Sequence, residues 1–261
     1  MHASLLDVYQ PREGLIHRLD PRVKILVTLF FILTAVSLPE AAWLSLGMLL
    51  LIMILLSWAA QLGIFYTLRR AFVALPFVLA ALAIPFLTPG PALWVVPGVG
   101  WTLTTTGLIR FLTIVGRTWI AVQAGILLSA ITSVPDLLWG LKELRVPRLI
   151  VAIVGFMVRY LFVLADEVMR MLRARASRSP KLAGVKRPGI LWQGRVAGMM
   201  VGSLFLRSLE RSERVHAAML SRGYDGEMRV LEQPTMLALD WIVLLTVLIA
   251  LSLVLWLGVW S

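Results

Sequence analysis

The sequence contains no cysteine and only three histidines, His2, His17 and His216, which lie far apart along the chain. The lack of cysteine excludes disulfide bonds, thiolate zinc sites and thiol chemistry. With so few imidazoles, a metal site belonging to this chain is not expected, because structural zinc sites are built from cysteine and histidine. We therefore predict that the chain holds no metal and no cofactor.

Charged residues are also scarce, at 15% of the chain, whereas soluble domains carry about 25%. Hydrophobic residues make up 59% and are gathered in long runs, a pattern typical of membrane proteins. The net charge is +11, and basic residues collected in cytoplasmic loops explain it. Since no basic soluble domain with a known motif is present, the lipid bilayer is the expected environment and nucleic acid is not an expected partner.

The apolar runs predict an all-α, polytopic membrane protein with about five transmembrane helices and a helical cytoplasmic coupling region. The five predicted spans are residues 23–38, 41–60, 71–87, 107–131 and 236–260. Lys24 stands at the start of the first span, where its long side chain is expected to reach the interface. Pro76 and Pro85 should kink the third span, because proline removes a helical hydrogen bond.

The distribution of basic residues predicts the orientation. Arg69 and Arg70 mark a cytoplasmic loop, residues 71–109 contain no lysine or arginine, and residues 132–235 contain 17 of the 25 basic residues. By the positive-inside rule, the N-terminus lies in the cytoplasm and the C-terminus outside. The domains are then 1–131 with four spans, 132–235 with cytoplasmic coupling helices, and 236–261 with the last span.

One apolar stretch, residues 149–165, competes as an additional span. Arg159 and Tyr160 lie in its middle, and a crossing here would export the basic residues that follow. A helix buried beneath the membrane, or partly within it, is therefore the preferred interpretation.

Residues 132–235 show helix signals throughout. A cap and a proline in residues 132–136 predict a helix start, and Val146-Pro147 divides this helix from a second that runs to about Ala176. A third helix is predicted over residues 190–220, with Gly223 as the residue that ends it.

Two surface features lie on the predicted third helix. Gly194, Gly198 and Gly202 recur at four-residue steps and form a smooth strip that another helix could approach closely. A basic face follows, made of Arg207, Arg211 and Arg214. This face fits a solvated surface beneath anionic lipid and a functional surface equally well.

The most specific feature of residues 132–235 is a short internal repeat. Four residues recur 44 positions later: Arg170, Ala174, Ser177 and Arg178 match Arg214, Ala218, Ser221 and Arg222. Each copy ends a helix with Ser-Arg followed by a small residue, Ser179 or Gly223. Small neighbours let a guanidinium enter a groove and bind a carboxylate or a helix end through two hydrogen bonds.

Several other charged residues have ordinary explanations. Arg110 and Arg117 lie seven residues apart in the fourth span, where Arg110 is expected to reach the outer interface. Arg117 has no obvious partner in the sequence, and a structural contact with a neighbouring helix or subunit is the preferred role. Asp166 and Glu167 precede two arginines at helical spacing, which predicts an intrahelical ion pair rather than acid–base catalysis.

The chain resembles the T component of energy-coupling factor (ECF) transporters, most closely the cobalt/nickel-type CbiQ family. The likeness covers nearly the whole sequence. It rests on residues 15–24 (LIHRLDPRVK), 145–148 (RVPR), 159–160 (RY), 174–179 (ARASRS), 202–208 (GSLFLRS) and 218–226 (AMLSRGYDG). The first arginine motif departs slightly from the family pattern, so Arg175 competes with Arg178 for its register.

This resemblance implies a mechanism and a set of partners. Two ATP-binding cassette ATPase subunits would each hold one coupling helix end, formed by Ser177, Arg178 and Ser179 or by Ser221, Arg222 and Gly223. A separate membrane subunit would bind cobalt or nickel and contact the strip of Gly194, Gly198 and Gly202. A small accessory membrane subunit is also compatible with the family, and the bacterial inner membrane is the implied location.

The chain itself is not expected to be an enzyme, because it lacks the Gly-rich phosphate-binding loop with lysine that ATPases use. The same T component serving a vitamin importer is the nearest alternative, since another chain binds the substrate. A stand-alone secondary transporter would show inverted repeats with broken helices, and none is evident. An intramembrane enzyme would need paired catalytic groups, but the spans offer only Arg110 and Arg117.

Overall fold

A computed structural model of the chain describes residues 9–10, 14–95, 102–178, 189–226 and 236–260. These residues divide into two compact units. The membrane unit comprises residues 9–10, 14–95, 102–144 and 236–260, and the paired-helix unit comprises 145–178 and 189–226. Helices dominate both units, which confirms the predicted all-α class of a polytopic membrane protein.

The membrane unit begins with a 3₁₀ turn at Leu15–Arg18. Its helices are α1 (Pro21–Ser37), α2 (Trp43–Ala59), α3 (Ile64–Arg70), α4 (Leu75–Ala81), α5 (Ile84–Leu87), α6 (Thr105–Ile131), α7 (Val134–Glu143) and α10 (Ala238–Trp260). Ser133 caps α7 as predicted, because its hydroxyl accepts a hydrogen bond from the amide of Asp136 at 3.3 Å.

Four of these helices form the core. Both α1 and α2 pack against α6 and α10. Side chains from all four helices are buried where they meet, among them Phe31, Leu49, Ile120 and Leu251. The outer surface of the same helices carries large exposed apolar residues such as Trp58 and Ile249. An apolar exterior around a packed interior is the arrangement that a hydrocarbon solvent requires.

The predicted third span, residues 71–87, lies within one helical stretch, Tyr66–Leu87, whose hydrogen-bond pattern changes along its length. After α3, a 3₁₀ segment covers Ala71–Ala74, and α4 and α5 follow as short separate helices. Pro76 and Pro85 stand in the first turns of α4 and α5, where the missing amide hydrogen costs nothing. Both prolines therefore stand where the helical stretch changes its hydrogen-bond pattern, and the kinks expected at them stay a prediction.

Two short strands were not predicted. Strand β1 (Ala92–Val95) pairs antiparallel with β2 (Thr102–Thr104), directly before α6. Thr104 is buried and caps α6 by accepting a hydrogen bond from the amide of Gly107 at 3.1 Å. Its hydroxyl also donates to the carbonyl of Thr88 at 2.9 Å, which ties the strand pair to the end of α5.

Within the described residues, four helical stretches are long and apolar enough to cross a membrane. They are Tyr66–Leu87, Thr105–Ile131, Arg148–Arg178 and Ala238–Trp260, and Trp43–Ala59 is a shorter apolar helix. The third stretch includes residues 149–165. By length and composition it qualifies as a span, so its placement beneath the membrane stays a prediction.

The paired-helix unit consists of α8 (Arg148–Arg178) and α9 (Ile190–Ser221). Three contacts show that the two helices run antiparallel. The rings of Phe156 and Tyr224 lie 6.2 Å apart, Glu167 pairs with Arg207 at 3.3 Å, and Arg175 lies over the ring of Trp192 at 5.9 Å. In these three contacts, a higher residue number on α8 is paired with a lower residue number on the α9 side.

This pair buries very little of its own surface. In the described residues, Ala152 is the single buried side chain of α8, and α9 has none. Two helices of about thirty residues therefore have little core between them, and most of their apolar side chains stay exposed. The unit is therefore suited to contacts with other molecules.

Candidate functional site

The first predicted anchor lies at the C-terminal end of α8. Arg178 is the last residue of the helix and is exposed, with no ion pair inside the described part of the chain. Ser177 is also exposed, and its hydroxyl donates to the carbonyl of Ala174 at 2.9 Å. Ser179, the third residue of this predicted motif, lies outside the described residues.

Arg175, which competed for the same register, has a different environment. It is half-buried, and its guanidinium lies over the ring of Trp192 on α9. Such a cation–π contact occupies the guanidinium within the chain. Arg178 has no comparable contact among the described residues and is the more exposed of the two arginines, which favours it as the anchor.

The second predicted anchor lies at the C-terminal end of α9 and has a defined cap. Gly223 adopts φ = +77°, a left-handed conformation that glycine reaches without steric cost. Its amide donates to the carbonyl of Leu220 at 3.0 Å, and the amide of Tyr224 donates to Met219 at 3.0 Å. These two bonds form a Schellman motif, with Arg222 at the C-cap position.

The Schellman turn also fixes the end of α9 to α8. It directs Tyr224 back onto Phe156, whose ring it meets edge-on with an interplanar angle of 74°. Arg222 and Ser221 remain exposed on the outside of this turn. The prediction that Gly223 ends the helix is confirmed, and its role is to hold Arg222 on a fixed platform.

The two arginines lie at opposite ends of the helix pair. Arg222 is two residues before Tyr224, which packs on Phe156 near the start of α8. From Phe156 to Arg178 the helix advances 22 residues, or about 33 Å at 1.5 Å per residue. The internal repeat in the sequence therefore corresponds to two similar helix ends. They are separated by roughly the length of the paired helices α8 and α9.

The matching serines contribute less to this similarity than the sequence suggests. Ser221 donates to the carbonyl of Ala218 at 3.0 Å, as Ser177 does to Ala174. The same bond to the residue three positions earlier occurs at Ser203, Ser208 and Ser212. Serine side chains in helices commonly form this hydrogen bond, so it does not distinguish the two Ser-Arg helix ends from the rest of the helices.

Glu167 joins the two helices at their middle. It pairs with Arg170 at 2.7 Å, as the predicted intrahelical ion pair requires, and it also pairs with Arg207 across the interface. Its side chain is only 18% exposed, so the two arginines shield it from solvent. One member of the basic face thus has a structural role, while Arg214 makes only a long 3.8 Å contact with Glu210.

The glycine strip of α9 is open. Gly194, Gly198 and Gly202 are exposed, and a Cβ added at any of them would meet no other atom within 4 Å. No described residue of this chain uses the close approach that the strip allows. Its assignment as a contact for a substrate-binding subunit stays a prediction.

Sequence reasoning missed an apolar groove in the paired-helix unit. A cavity of about 470 Å³ lies between α8 and α9, on the Phe156 side of their middle contact. Its walls include Met157, Tyr160, Leu209 and Met219. Recurrence of Ile153, Phe156, Met157 and Tyr160 at three- and four-residue spacing was the available signal.

The intramembrane arginines are both engaged within the membrane unit. Arg110 pairs at 2.9 Å with Glu40, which lies in the turn between α1 and α2. That Arg110 reaches the outer interface stays a prediction. Both side chains are about half exposed, and such pairs stabilise by about 1 kcal/mol at most. Arg117 donates to the carbonyl of Leu38 at the end of α1, a structural contact with a neighbouring helix as expected.

The described residues contain no group of three histidine, aspartate or glutamate side chains arranged to hold a metal ion. Among the described residues at the two helix ends, no nucleophile is paired with a base. The exposed groups there are guanidinium, hydroxyl and backbone, which can bind a partner through hydrogen bonds and charge.

Comparison with known proteins decides the family. A family model described as cobalt transport protein, CbiQ, matches residues 12–234. The chain belongs to the CbiQ family. This match includes both helix ends and the glycine strip, and it confirms the resemblance proposed from the sequence motifs.

Relatives of this CbiQ-family chain come from bacteria and archaea. The cobalt transport protein CbiQ of Rhodobacter capsulatus is 31% identical over 172 residues, 64% of this chain and 67% of the relative. The energy-coupling factor transporter transmembrane protein EcfT of Acidaminococcus fermentans is 29% identical over 233 residues, 85% of this chain and 83% of the relative. An uncharacterised protein of Methanocaldococcus jannaschii is 28% identical over 230 residues, 85% and 76% respectively.

Proposed function

We propose that this chain is the transmembrane coupling subunit of an ECF-type importer, which transmits movement of cytoplasmic ATPases to a separate substrate-binding membrane subunit. One observation carries the proposal. Two exposed arginines, Arg178 and Arg222, end two long antiparallel helices and have no ion-pair partner among the described residues. Each is free to dock into one of two ATP-binding cassette subunits.

The distance between the arginines supports two docking sites rather than one. Along the axis of the helix pair, Arg178 and the end of α9 that carries Arg222 are about 33 Å apart. A single groove on a small protein is shorter than this. A helical pair is also stiff along its axis, so a displacement at one tip reaches the other end without being absorbed. The exposed glycine strip and the apolar groove then provide surfaces on which a substrate-binding subunit could receive that movement.

The charge of the segment supports its placement on the ATP-containing side. Seventeen basic residues fall between 132 and 235, and export of such a segment opposes the positive-inside rule. With five spans the N-terminus is cytoplasmic, and the inner membrane of a bacterium is the proposed location. Residues 149–165 then lie beneath or partly within the membrane.

Cobalt is the proposed cargo of the complex, with nickel as the chemically similar alternative. The basis is the family description and the name of the Rhodobacter relative. A vitamin remains the competing cargo, since relatives named EcfT do not specify a substrate. The cargo would be bound by the partner subunit and not by this chain.

Affinity purification of the tagged chain from its native membranes tests the proposal directly. We expect an ATP-binding cassette ATPase and a membrane substrate-binding protein to co-purify, identified by mass spectrometry. We also expect cells that lack the chain to lose uptake of radioactive cobalt while retaining uptake of an unrelated nutrient. Purification of the chain without an ATPase would contradict the proposal, and retained cobalt uptake with lost vitamin uptake would reassign the cargo.

Side-specific labelling tests the orientation. Because the natural chain has no cysteine, single cysteines at positions 178 and 222 give labels without background. A membrane-impermeant maleimide should label both positions in inside-out vesicles and neither in intact cells with a permeabilised outer membrane. A cysteine at Glu40 should show the reverse. Labelling of position 178 or 222 from outside would overturn the assignment of both anchors.

A further inference from the structure

Arg117 lies near the middle of α6, inside the membrane unit. It follows Arg110, which pairs with Glu40, by seven residues, so its backbone is about 10 Å further along the helix. Its guanidinium donates to the carbonyl of Leu38, the residue that ends α1, and its Nε atom is buried without a hydrogen-bond partner among the described residues. The C-terminal end of a helix carries only about half of a negative charge, so this contact leaves the arginine incompletely balanced.

The spans of this chain contain almost no carboxylate that could complete the balance. Glu40 is the one acidic residue in the sequence between Asp20 and Asp136, and no acidic residue follows Asp240. Glu40 already has an arginine partner, as described above. The charge of Arg117 is therefore not paired with a carboxylate in the described part of the chain.

Lys24, near the start of α1, shows how the chain balances a cation that it does bury. Lys24 is 7% exposed, so it lies inside the protein, and the expectation that it reaches the interface is wrong. Its ammonium donates to two backbone carbonyls, at 2.8 Å and 3.4 Å. The carboxylates of Asp20, Asp136 and Asp240 supply the negative charge that acts on it. A buried charge needs such partners, because an unpaired one is strongly unfavourable.

The carboxylates around Lys24 are too far away to serve Arg117 as well. Asp20 is 4% exposed and Asp240 is 3% exposed, and the Oδ1 atom of Asp240 accepts a hydrogen bond from the amide of Asp20 at 3.1 Å. Asp20 caps the start of α1, whereas Leu38 follows the end of that helix. Eighteen residues of helix separate the two by about 27 Å.

A groove opens on the surface of the membrane unit beside the Arg117 guanidinium. It has a volume of about 400 Å³, and its walls are apolar or small apart from the arginine: Val36 from α1, and Ile114, Arg117, Thr118, Ala121 and Val122 from α6. Gly125, one turn further along α6, is open as well, since an added Cβ would meet no other atom within 4 Å. Small residues let the backbone of a neighbouring helix approach closely within a membrane.

We propose that this groove, here named the Arg117 groove, receives a transmembrane helix of another subunit, and that an aspartate or glutamate on that helix pairs with Arg117. A charged side chain within a membrane is costly and is almost always paired. Charge complementarity therefore favours an acidic helix. The small residues favour a helix over a lipid chain, because a lipid chain has no need for close backbone approach. The ATPases and the helix-end arginines play no part in this contact.

Photo-crosslinking identifies the occupant of the groove. A benzophenone amino acid replaces Val36, which is 59% exposed, in the tagged chain within its native membranes. The cross-linked peptide, identified by mass spectrometry, should come from a transmembrane helix of another protein that carries an aspartate or glutamate. The same amino acid at Trp58, exposed on α2 outside the groove, is the control and should not give this adduct. Adducts at position 36 with lipid alone, with a second copy of this chain, or with a helix that lacks a carboxylate would each overturn the inference.

Charge variants then test the pair, with the yield of the adduct at position 36 as the readout. Arg117→Gln should lower the yield about tenfold or more, as expected when one member of a desolvated charge pair is lost. Arg117→Lys keeps the charge and should stay within about threefold of the natural chain. Arg110→Gln is the matched control on the same helix. It removes a cation that already has Glu40 as its partner, so the yield should stay within about twofold.

Charge reversal separates a lost pair from a damaged fold, since Arg117 also holds the end of α1. Arg117→Asp should lose the adduct, and replacing the identified carboxylate of the other subunit with arginine should restore it. An unchanged yield in Arg117→Gln, an equal loss in Arg110→Gln, or no restoration by the reversed pair would overturn the inference. If the acidic helix is found in a complex that contains no ATPase, the proposed function is refuted and this inference stands.

Discussion

Replacement of Arg222 with glutamate is expected to abolish co-purification of the ATPase subunits and to stop uptake. Arg222 is exposed at the cap of α9 on a turn fixed by Gly223 and Tyr224, so its guanidinium reaches a partner without first being ordered. Loss of one member of a docked charge pair costs about 2–5 kcal/mol of binding free energy, or at least thirtyfold in affinity. Affinity purification and cobalt uptake measure the two effects.

A graded series makes this test specific. Arg222→Lys keeps the charge but loses the planar fork, so it should retain part of the binding. Arg195→Glu makes the same charge change at an exposed site 27 residues earlier in α9, about 40 Å away, and should retain the ATPase bound at Arg222. Normal assembly and transport by Arg222→Glu would show that the second anchor is wrongly assigned. Arg178→Glu should repeat the loss at the other end.

Replacement of Asp240 with alanine is expected to be strongly destabilising. It leaves the amide of Asp20 and the ammonium of Lys24 buried with fewer partners, and breaking a buried pair costs about 3–5 kcal/mol. A loss of about 3 kcal/mol should lower the thermal midpoint by about 6–12 °C. Fluorescence-detected size-exclusion chromatography of the heated, detergent-solubilised chain measures the midpoint.

Asp240→Asn separates the hydrogen bond from the charge. Its amide oxygen can still accept from the amide of Asp20, but it no longer offsets the charge of Lys24. We expect a midpoint between those of the alanine variant and the natural chain. Glu40→Ala, which removes a half-exposed pair with Arg110, should shift the midpoint much less. An equal shift in Asp240→Ala and Glu40→Ala would contradict the view that burial makes the contact between Asp240 and Asp20 strong.

The helices themselves were largely predictable because their signals are local. Apolar runs gave the predicted spans at 23–38 and 107–131, against helices at Pro21–Ser37 and Thr105–Ile131. Serine, proline and glycine at helix ends also act within a few residues, as at Ser133 and Gly223. The pairing of β1 with β2 was missed because strands of four and three residues are too short to show a periodic pattern.

The helix ends of the candidate site were found for the same local reason, but their environment was not. The choice between Arg175 and Arg178 depends on Trp192, which belongs to another helix. Glu40 with Arg110, and Asp20 with Asp240, are contacts across 70 and 220 residues. The pattern of residues within one helix cannot predict such pairs, because their two members come together only when the helices pack.

The contact between Asp20 and Asp240 has a consequence for the synthesis of the protein. At 5–20 residues per second, the ribosome makes Asp240 about 11–44 s after Asp20. During that interval the first helix is inserted while Lys24 lacks one of its carboxylates. Insertion of the last helix is therefore the step that supplies the third carboxylate near Lys24, so a chain that stops before α10 keeps Asp20 and Asp136 there but lacks Asp240.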